Sequence, residues 1–253
     1  MKNNLLVRTR NSESTYGMYL SIADPIMVEL VAYAGFDFIR IDCEHMLFDG
    51  SMIANLIRTA NAVDLPVMVR INSLDDITRI LDYGASGFVI PDIKTKEQAI
   101  ETVNLIKYAP LGQRGMMPHG RCIRYGEDSF KDYMKEANDL ICLTVQIESK
   151  EGLDNIDEIL SVEGIDMVTV GKLDLSQSLG ITGQNTHPDI IAAENFVIQK
   201  AFEYNKFPSM MVSNVNRVRE AEQMGVRCMT ICYDSDFILK AFKNYVSQYK
   251  TVK

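Results

Sequence analysis

Long apolar runs, basic blocks and cysteine pairs are all missing from this chain, and each absence removes a class of function. No segment holds the roughly 20 apolar residues that a membrane-spanning helix needs. The N-terminus MKNNLLVRTRNSES has neither a long apolar core nor a small-residue cleavage site, so a cytoplasmic protein is expected. Thirty-four acids against 26 bases give a net charge of −8, and no run of lysines or arginines stands out. That balance argues against nucleic acid and anionic membranes as partners and leaves small soluble ligands. Five cysteines, Cys43, Cys122, Cys142, Cys228 and Cys232, are an odd number, form no CxxC pair and lie mostly inside apolar runs. They read as reduced core residues. No Gly-, Pro- or Ser-rich linker divides the 253 residues, of which 47% are apolar and 24% charged, so residues 1–253 are expected to form one domain.

What is present is a rhythm. Short apolar runs at 15–21, 36–42, 66–71, 87–92, 141–148, 166–171, 208–213 and 227–234 read as strands. Amphipathic segments between them read as helices: Asp24-Pro25 opens one as a cap with proline at the first position, Gly35 closes it, and EGLDNIDEILSV reads as another single helix. One stretch departs from the pattern. PLGQRGMMPHGRCIRYGEDS, residues 110–129, is a long, glycine-containing, basic loop of the kind that compact domains keep mainly to serve a site. Eight strands alternating with helices over this length predict a single (β/α)₈ barrel, with an open doubly wound sheet as the lesser alternative.

In such a barrel the chemistry sits at the C-terminal ends of the strands. His45 follows the second strand, Arg70 ends the third, Pro91-Asp92 end the fourth, Glu148 ends the fifth and Asp174 follows the sixth. Glu148 and Asp174 flank one β-helix-β unit, whose right-handed crossover brings both to the same sheet edge. Two hard oxygen donors at an open site suit Mg²⁺ or Mn²⁺. Taken singly, each residue has a plainer reading. Glu148 suits a helix start and Asp174 a cap, while Arg70 suits an ion pair and His45 a backbone-bonded ring. Their coincidence on one rim is what points to a site.

The motifs GFDFIRIDCEH (35–45), PVMVRI (66–71), PLGQRG (110–115), VQIES (145–149) and GKLDLS (171–176) resemble those of the metal-dependent (class II) pyruvate aldolases. That family is typified by 4-hydroxy-2-oxoheptanedioate aldolase and 2-keto-3-deoxy-rhamnonate aldolase and takes in citrate-lyase-like enzymes. The resemblance covers nearly the whole chain. It implies a barrel of the phosphoenolpyruvate/pyruvate-binding type and reversible cleavage of a 4-hydroxy-2-oxo acid to pyruvate and an aldehyde. It assigns Glu148 and Asp174 to a divalent metal (Mg²⁺ or Mn²⁺, with Co²⁺ also in range), which holds the oxo acid and stabilises its enolate. Arg70 then lies against the pyruvate oxygens as a fixed charge. His45 becomes the proton-transfer residue, with Asp82 orienting its ring. Gln146 and the main chain of Gly171, Lys172, Leu173 and Asp174 line the substrate. Asp42 and Glu44 support the metal or His45, and Arg114 walls the site.

Two stretches depart from the family pattern. HMLFDG (45–50) differs on the aldehyde side, and Lys172-Leu173 replaces a small or proline-containing pair. Lys172 also opens an alternative, since Schiff-base (class I) aldolases of this barrel class commonly carry their lysine at the end of the sixth strand. A non-catalytic barrel that only binds an oxo acid is the other rival; a CoA-ester lyase is disfavoured by the lack of a basic nucleotide-binding segment. Relatives are commonly homohexamers, trimers of dimers, and the C-terminal helix over 235–253, with Phe237, Ile238, Leu239 and Phe242, is the expected interface element.

Overall fold

Residues 3–250 are described in a computed structural model. Eight parallel strands close on themselves in chain order, β1 pairing with both β2 and β8. They are β1 (Thr15–Leu20), β2 (Phe38–Asp42), β3 (Val67–Arg70), β4 (Gly87–Ile90), β5 (Cys142–Ile147), β6 (Met167–Val170), β7 (Phe207–Met211) and β8 (Cys228–Tyr233). The expected (β/α)₈ barrel is therefore the fold. The helices are α1 (Leu5–Arg10), α2 (Pro25–Tyr33), α3 (Gly50–Ala62), α4 (Ile77–Asp82), α5 (Lys96–Ile106), α6 (Phe130–Leu140), α7 (Lys150–Asp154), α8 (Ile156–Leu160), α9 (Lys172–Ser178), α10 (Pro188–Glu203), α11 (Val215–Gln223) and α12 (Asp234–Lys250).

Local chemistry sets most helix starts. Asp24 accepts from Ile26 N ahead of Pro25, Asp49 accepts from Ser51 N and Met52 N, and Thr95 with Gln98 forms a reciprocal capping box. The segment expected as one helix after β5 is two. Asn155 breaks it, leaving helical geometry between α7 and α8 while its side-chain amide donates to Lys94 O at 2.9 Å. A tertiary bond to the preceding βα loop thus overrides local propensity. Short α1 is an addition that the strand-and-helix rhythm did not contain.

Alternation along the strands separates an outer core from the barrel interior. Ile39, Ile41, Val67, Val69, Leu143, Val145, Ile147 and Val168 join one buried cluster with helix residues such as Leu56 and Ile57. Fully burying each such side chain contributes about 1.5–3 kcal/mol. The other strand residues fill the barrel in layers. At the bottom lie Phe38, Met68, Cys142, Met167 and Cys228, capped by Leu5 and Leu6 of α1. Above them are buried Arg40, Thr144, Thr169, Ser209 and Thr230. The top layer holds Asp42, Arg70, Gln146 and Glu148, all at most 6% exposed. The interior thus grades from apolar to polar to charged toward the strand C-termini.

Candidate active site

β2 and β3 run in register with Asp42 opposite Arg70, and both side chains point into the barrel mouth. Asp42 takes Arg70 in the fork geometry, Nε to Oδ1 at 3.1 Å and Nη2 to Oδ2 at 2.7 Å. Glu44 Oε2 lies 3.2 Å from Arg70 Nε and 3.5 Å from His45 Nε2, yet accepts a well-aligned hydrogen bond from neither. The neighbouring carboxylate, Asp42, and burial raise the Glu44 carboxyl above its ordinary range, with desolvation the larger cause. Arg70 Nη2 also donates to the Tyr233 hydroxyl at 2.9 Å. Its Nη1 has no partner among the described residues and is the guanidinium edge left for a ligand.

Across the mouth, Glu148 continues the inward face of β5. Its Oε1 accepts from Asp92 N at 2.7 Å and its Oε2 from Gln146 Nε2, so Gln146 acts as a clamp on the carboxylate. Room for this arrangement comes from Gly171, where a Cβ would stand 2.1 Å from Glu148 Oε2 and 2.8 Å from Glu148 Cβ. Any larger residue would displace the carboxylate. Burial pushes the Glu148 carboxyl up to about 7, and the charges of Glu44 and Asp174 push the same way. Asp174 stands in the first turn of α9, whose start carries no side-chain cap. A cleft of about 420 Å³ opens there between Asp92, Lys94, Glu148, Asp174 and Gln177.

The structure therefore gathers His45, Arg70, Gln146, Glu148, Gly171 and Asp174 on one rim. Two candidates go elsewhere. Asp82 does not pair with His45 within the chain: it accepts from Arg114 Nη2 at 2.9 Å, and Arg114 is itself buried over the rings of Tyr108 and Tyr133. The loop between α5 and α6 carries Arg114 to the end of α4 and claims the carboxylate; the acid beside the His45 ring is Glu44. Lys172 turns away to α10, where its Nζ lies 3.1 Å from Glu194, a buried acid also paired with Arg217. Tyr19 and Tyr233 were not anticipated. Their rings stack at 4.8 Å, in register at the tops of β1 and β8, with Arg70 over the Tyr19 face at 4.7 Å. Tyr233 closes a strand at the active rim, the same positional signal that exposed the other residues, but an aromatic there reads as core.

Fewer than three His, Cys, Asp or Glu groups converge in ready metal-ligand geometry anywhere among the described residues. The two-carboxylate pair nonetheless fits a hard cation that keeps water or substrate oxygens in its remaining positions. Glu148 and Asp174, with Glu44 nearby, make a cluster of negative charge whose mutual repulsion a cation would relieve, and Gly171, lacking a Cβ, leaves Glu148 the room to stand there.

The chain is 32% identical over 241 residues to a hydroxypyruvate/pyruvate aldolase of Roseobacter denitrificans, covering 94% of this chain and 93% of that protein. It is 32% identical over 259 residues to a 2-keto-3-deoxy-L-rhamnonate aldolase of Escherichia coli, covering 100% and 95%. Among solved structures, the citrate synthase SbnG superposes with a TM-score of 0.91 at 32% identity over 98% of both chains. Residues 15–241 match the family described as HpcH/HpaI aldolase/citrate lyase. On that match and on these relatives, the chain is a lyase of the aldolase type and belongs to the HpcH/HpaI aldolase/citrate lyase family.

Proposed function

We propose that the protein is a divalent-metal-dependent aldolase that reversibly cleaves a 4-hydroxy-2-oxo acid, such as 4-hydroxy-2-oxoheptanedioate, to pyruvate and an aldehyde. The observation that carries this reading is the division of the rim into two halves. Buried Glu148 faces Asp174 with no protein cation between them, while Arg70, fixed by Asp42, keeps Nη1 free. Glu148 and Asp174 would hold Mg²⁺, Mn²⁺ or Co²⁺, which supplies Lewis acidity to the 2-oxo acid when bound.

The remaining steps belong to the chain. Arg70 places a permanent positive charge where the oxo acid's C2 oxygen gains electrons as the C3–C4 bond breaks. His45 removes the C4 hydroxyl proton, so the O–H electron pair forms the aldehyde carbonyl while the C3–C4 pair passes into the enolate, and the proton returns to C3 through water. Glu44, 3.5 Å from His45 Nε2, stabilises the imidazolium formed in that step. The main chain of Lys172, Leu173 and Asp174, at the uncapped start of α9, supplies N–H donors for the substrate carboxylate, while Gly171, whose own N–H donates to Ile147 O at 3.0 Å, lines the site. Gln146 holds Glu148 in place rather than reaching past it.

A homo-oligomer, a hexamer arranged as a trimer of dimers, is part of this reading. It is supported by the exposed apolar side chains Phe237, Leu239, Phe242, Tyr245, Val246 and Tyr249 of α12, too many for a helix that packs only on its own barrel. A cytoplasmic location is part of the same reading; no helix among the described residues is long and apolar enough to cross a membrane.

The test is deuterium exchange into the pyruvate methyl group, followed by NMR with purified protein, after EDTA, and with Mg²⁺ or Mn²⁺ restored. Exchange lost with EDTA and regained with metal is expected. Exchange that survives EDTA would move the chemistry to Lys172 and a Schiff base, and absence of exchange under every condition would leave an oxo-acid-binding protein.

A further inference from the structure

Arg70 is held by more than its acid. Tyr233, the last residue of β8, reaches across the barrel mouth to place its hydroxyl 2.9 Å from Arg70 Nη2. In that contact the hydroxyl accepts, so one oxygen lone pair is engaged and the O–H proton is not. No acceptor for that proton lies within hydrogen-bonding distance among the described residues. The hydroxyl is also fixed in place, because its ring is stacked on Tyr19 at 4.8 Å with 12° between the planes. Tyr19 is itself held on both faces of the layer: Arg70 lies over its ring at 4.7 Å and the buried Arg40 approaches it at 5.7 Å from the layer below. Among the described residues Arg40 has no carboxylate partner; Nη2 donates to Ser209 Oγ at 2.7 Å and Nε is unpaired. Two guanidinium groups therefore pack against one aromatic platform, with Asp42 in fork contact with Arg70 alone.

We propose that Tyr233 is a second donor to the oxo acid's C2 oxygen, its hydroxyl accepting from Arg70 Nη2 and turning its own proton toward the oxygen served by Arg70 Nη1. This rests on the pyruvate-forming reading above. A hydroxyl polarised by an accepted N–H bond from a cation is a stronger donor than a free one, because the two bonds reinforce each other. Burial pushes the Tyr233 hydroxyl up to about 12 despite Arg70 beside it, so the proton is in place at neutral pH and is shared with the oxygen rather than lost to it. The contribution is made where negative charge develops, which is the requirement for accelerating the chemical step rather than merely tightening binding.

Tyr233→Phe keeps the stacked ring and removes only the donor. The expected result is a fall in kcat for pyruvate methyl exchange of about 100-fold, with KM changed by less than about threefold. Oxalate, a planar mimic of the enolate, should bind about tenfold more weakly by calorimetry in the presence of Mn²⁺, whereas Mn²⁺ alone should titrate as in the parent protein. Unchanged kcat and oxalate affinity would overturn the assignment and leave Tyr233 as packing. A parallel loss of Mn²⁺ affinity would overturn it as well, by showing that the ring or Arg70 had moved. Failure of the parent protein to exchange at all removes the substrate, and is seen in a different sample from failure of the variant.

Discussion

The barrel carries buried charge at both ends and treats it in opposite ways. At the bottom, Lys107 is 1% exposed, and its Nζ meets Ile141 O at 2.6 Å, Asp166 Oδ2 at 2.9 Å and Asn138 O at 3.0 Å. Asp166 Oδ2 in turn accepts from Leu143 N at 2.9 Å and Oδ1 lies 3.9 Å from Arg10 Nη2, so neither charge of the pair is without a partner. At the top, Glu148 has backbone and amide donors but, among the described residues, no cation paired with it: Lys94 in the same cleft is taken by Asp92, and the charges of Glu44 and Asp174 press on it instead. A protein that can complete a buried ion pair at one end has the means to do so at the other. On the function proposed above, the open end serves chemistry, held ready at some cost in stability, and the closed end is architecture.

Mutations at the two ends should separate on exactly those lines of activity and stability. The largest effect expected is from Glu148→Gln: metal-dependent exchange and retro-aldol turnover fall on the order of 10³-fold as the site loses its anionic ligand. The metal-free variant should melt at a temperature equal to or above that of the parent, since a desolvated acid beside two others has been neutralised. Lys107→Met should do the reverse. It strands Asp166 and two carbonyl oxygens, and about 3–5 kcal/mol of stability is lost in urea titration while kcat per folded molecule stays within about twofold. If Lys107→Met spared stability, or Glu148→Gln lowered it as far, the two ends would not differ in kind.

Much of the upper end was legible because β5 spells its own orientation. Cys142, Thr144, Gln146 and Glu148 alternate with Leu143, Val145 and Ile147, and a period of two sends the first set inward and ends it in an acid. Arg70 and Asp42 are read by the same count. What resisted reading depended on partners distant in the chain. Asp82 looked available to His45 until Arg114 arrived from the loop between α5 and α6, and nothing near Asp82 in the chain announces that contact. The break at Asn155 follows from Lys94 O, 61 positions away. Leu5 and Leu6 form a pair too short to announce a helix, yet α1 plugs the barrel's floor with them.

Gly171→Ala sharpens the contrast from the backbone side. A Cβ 2.1 Å from Glu148 Oε2 and 2.8 Å from its Cβ cannot be met by rotating one terminal oxygen. The carboxylate must leave the grip of Gln146 and Asp92 N. Metal affinity measured by Mn²⁺ titration should fall about 10- to 100-fold, the usual cost of disturbing a ligand's support, with a far smaller change in melting temperature. An unchanged Mn²⁺ affinity would mean that Glu148 does not hold the metal where it now stands.

The smallest effect on turnover and stability taken together is expected at Lys172, although it sits at the strand end where Schiff-base enzymes carry their nucleophile. Its Nζ, 3.1 Å from Glu194, is engaged by an acid only 2% exposed that also binds Arg217 at 2.5 Å. A side chain held against a buried carboxylate on α10 points away from the barrel mouth, where a nucleophilic amine would have to meet the oxo acid. Lys172→Met should therefore keep exchange and cleavage within about threefold of the parent, with borohydride and pyruvate leaving no reduced adduct on either protein. Arg217 still neutralises Glu194 after the change, so stability should fall by only about 1 kcal/mol. A borohydride-trapped adduct that disappears in Lys172→Met would place the nucleophile at the sixth strand after all, and would make the lysine, rather than Glu148, the group that the open end of the barrel is built around.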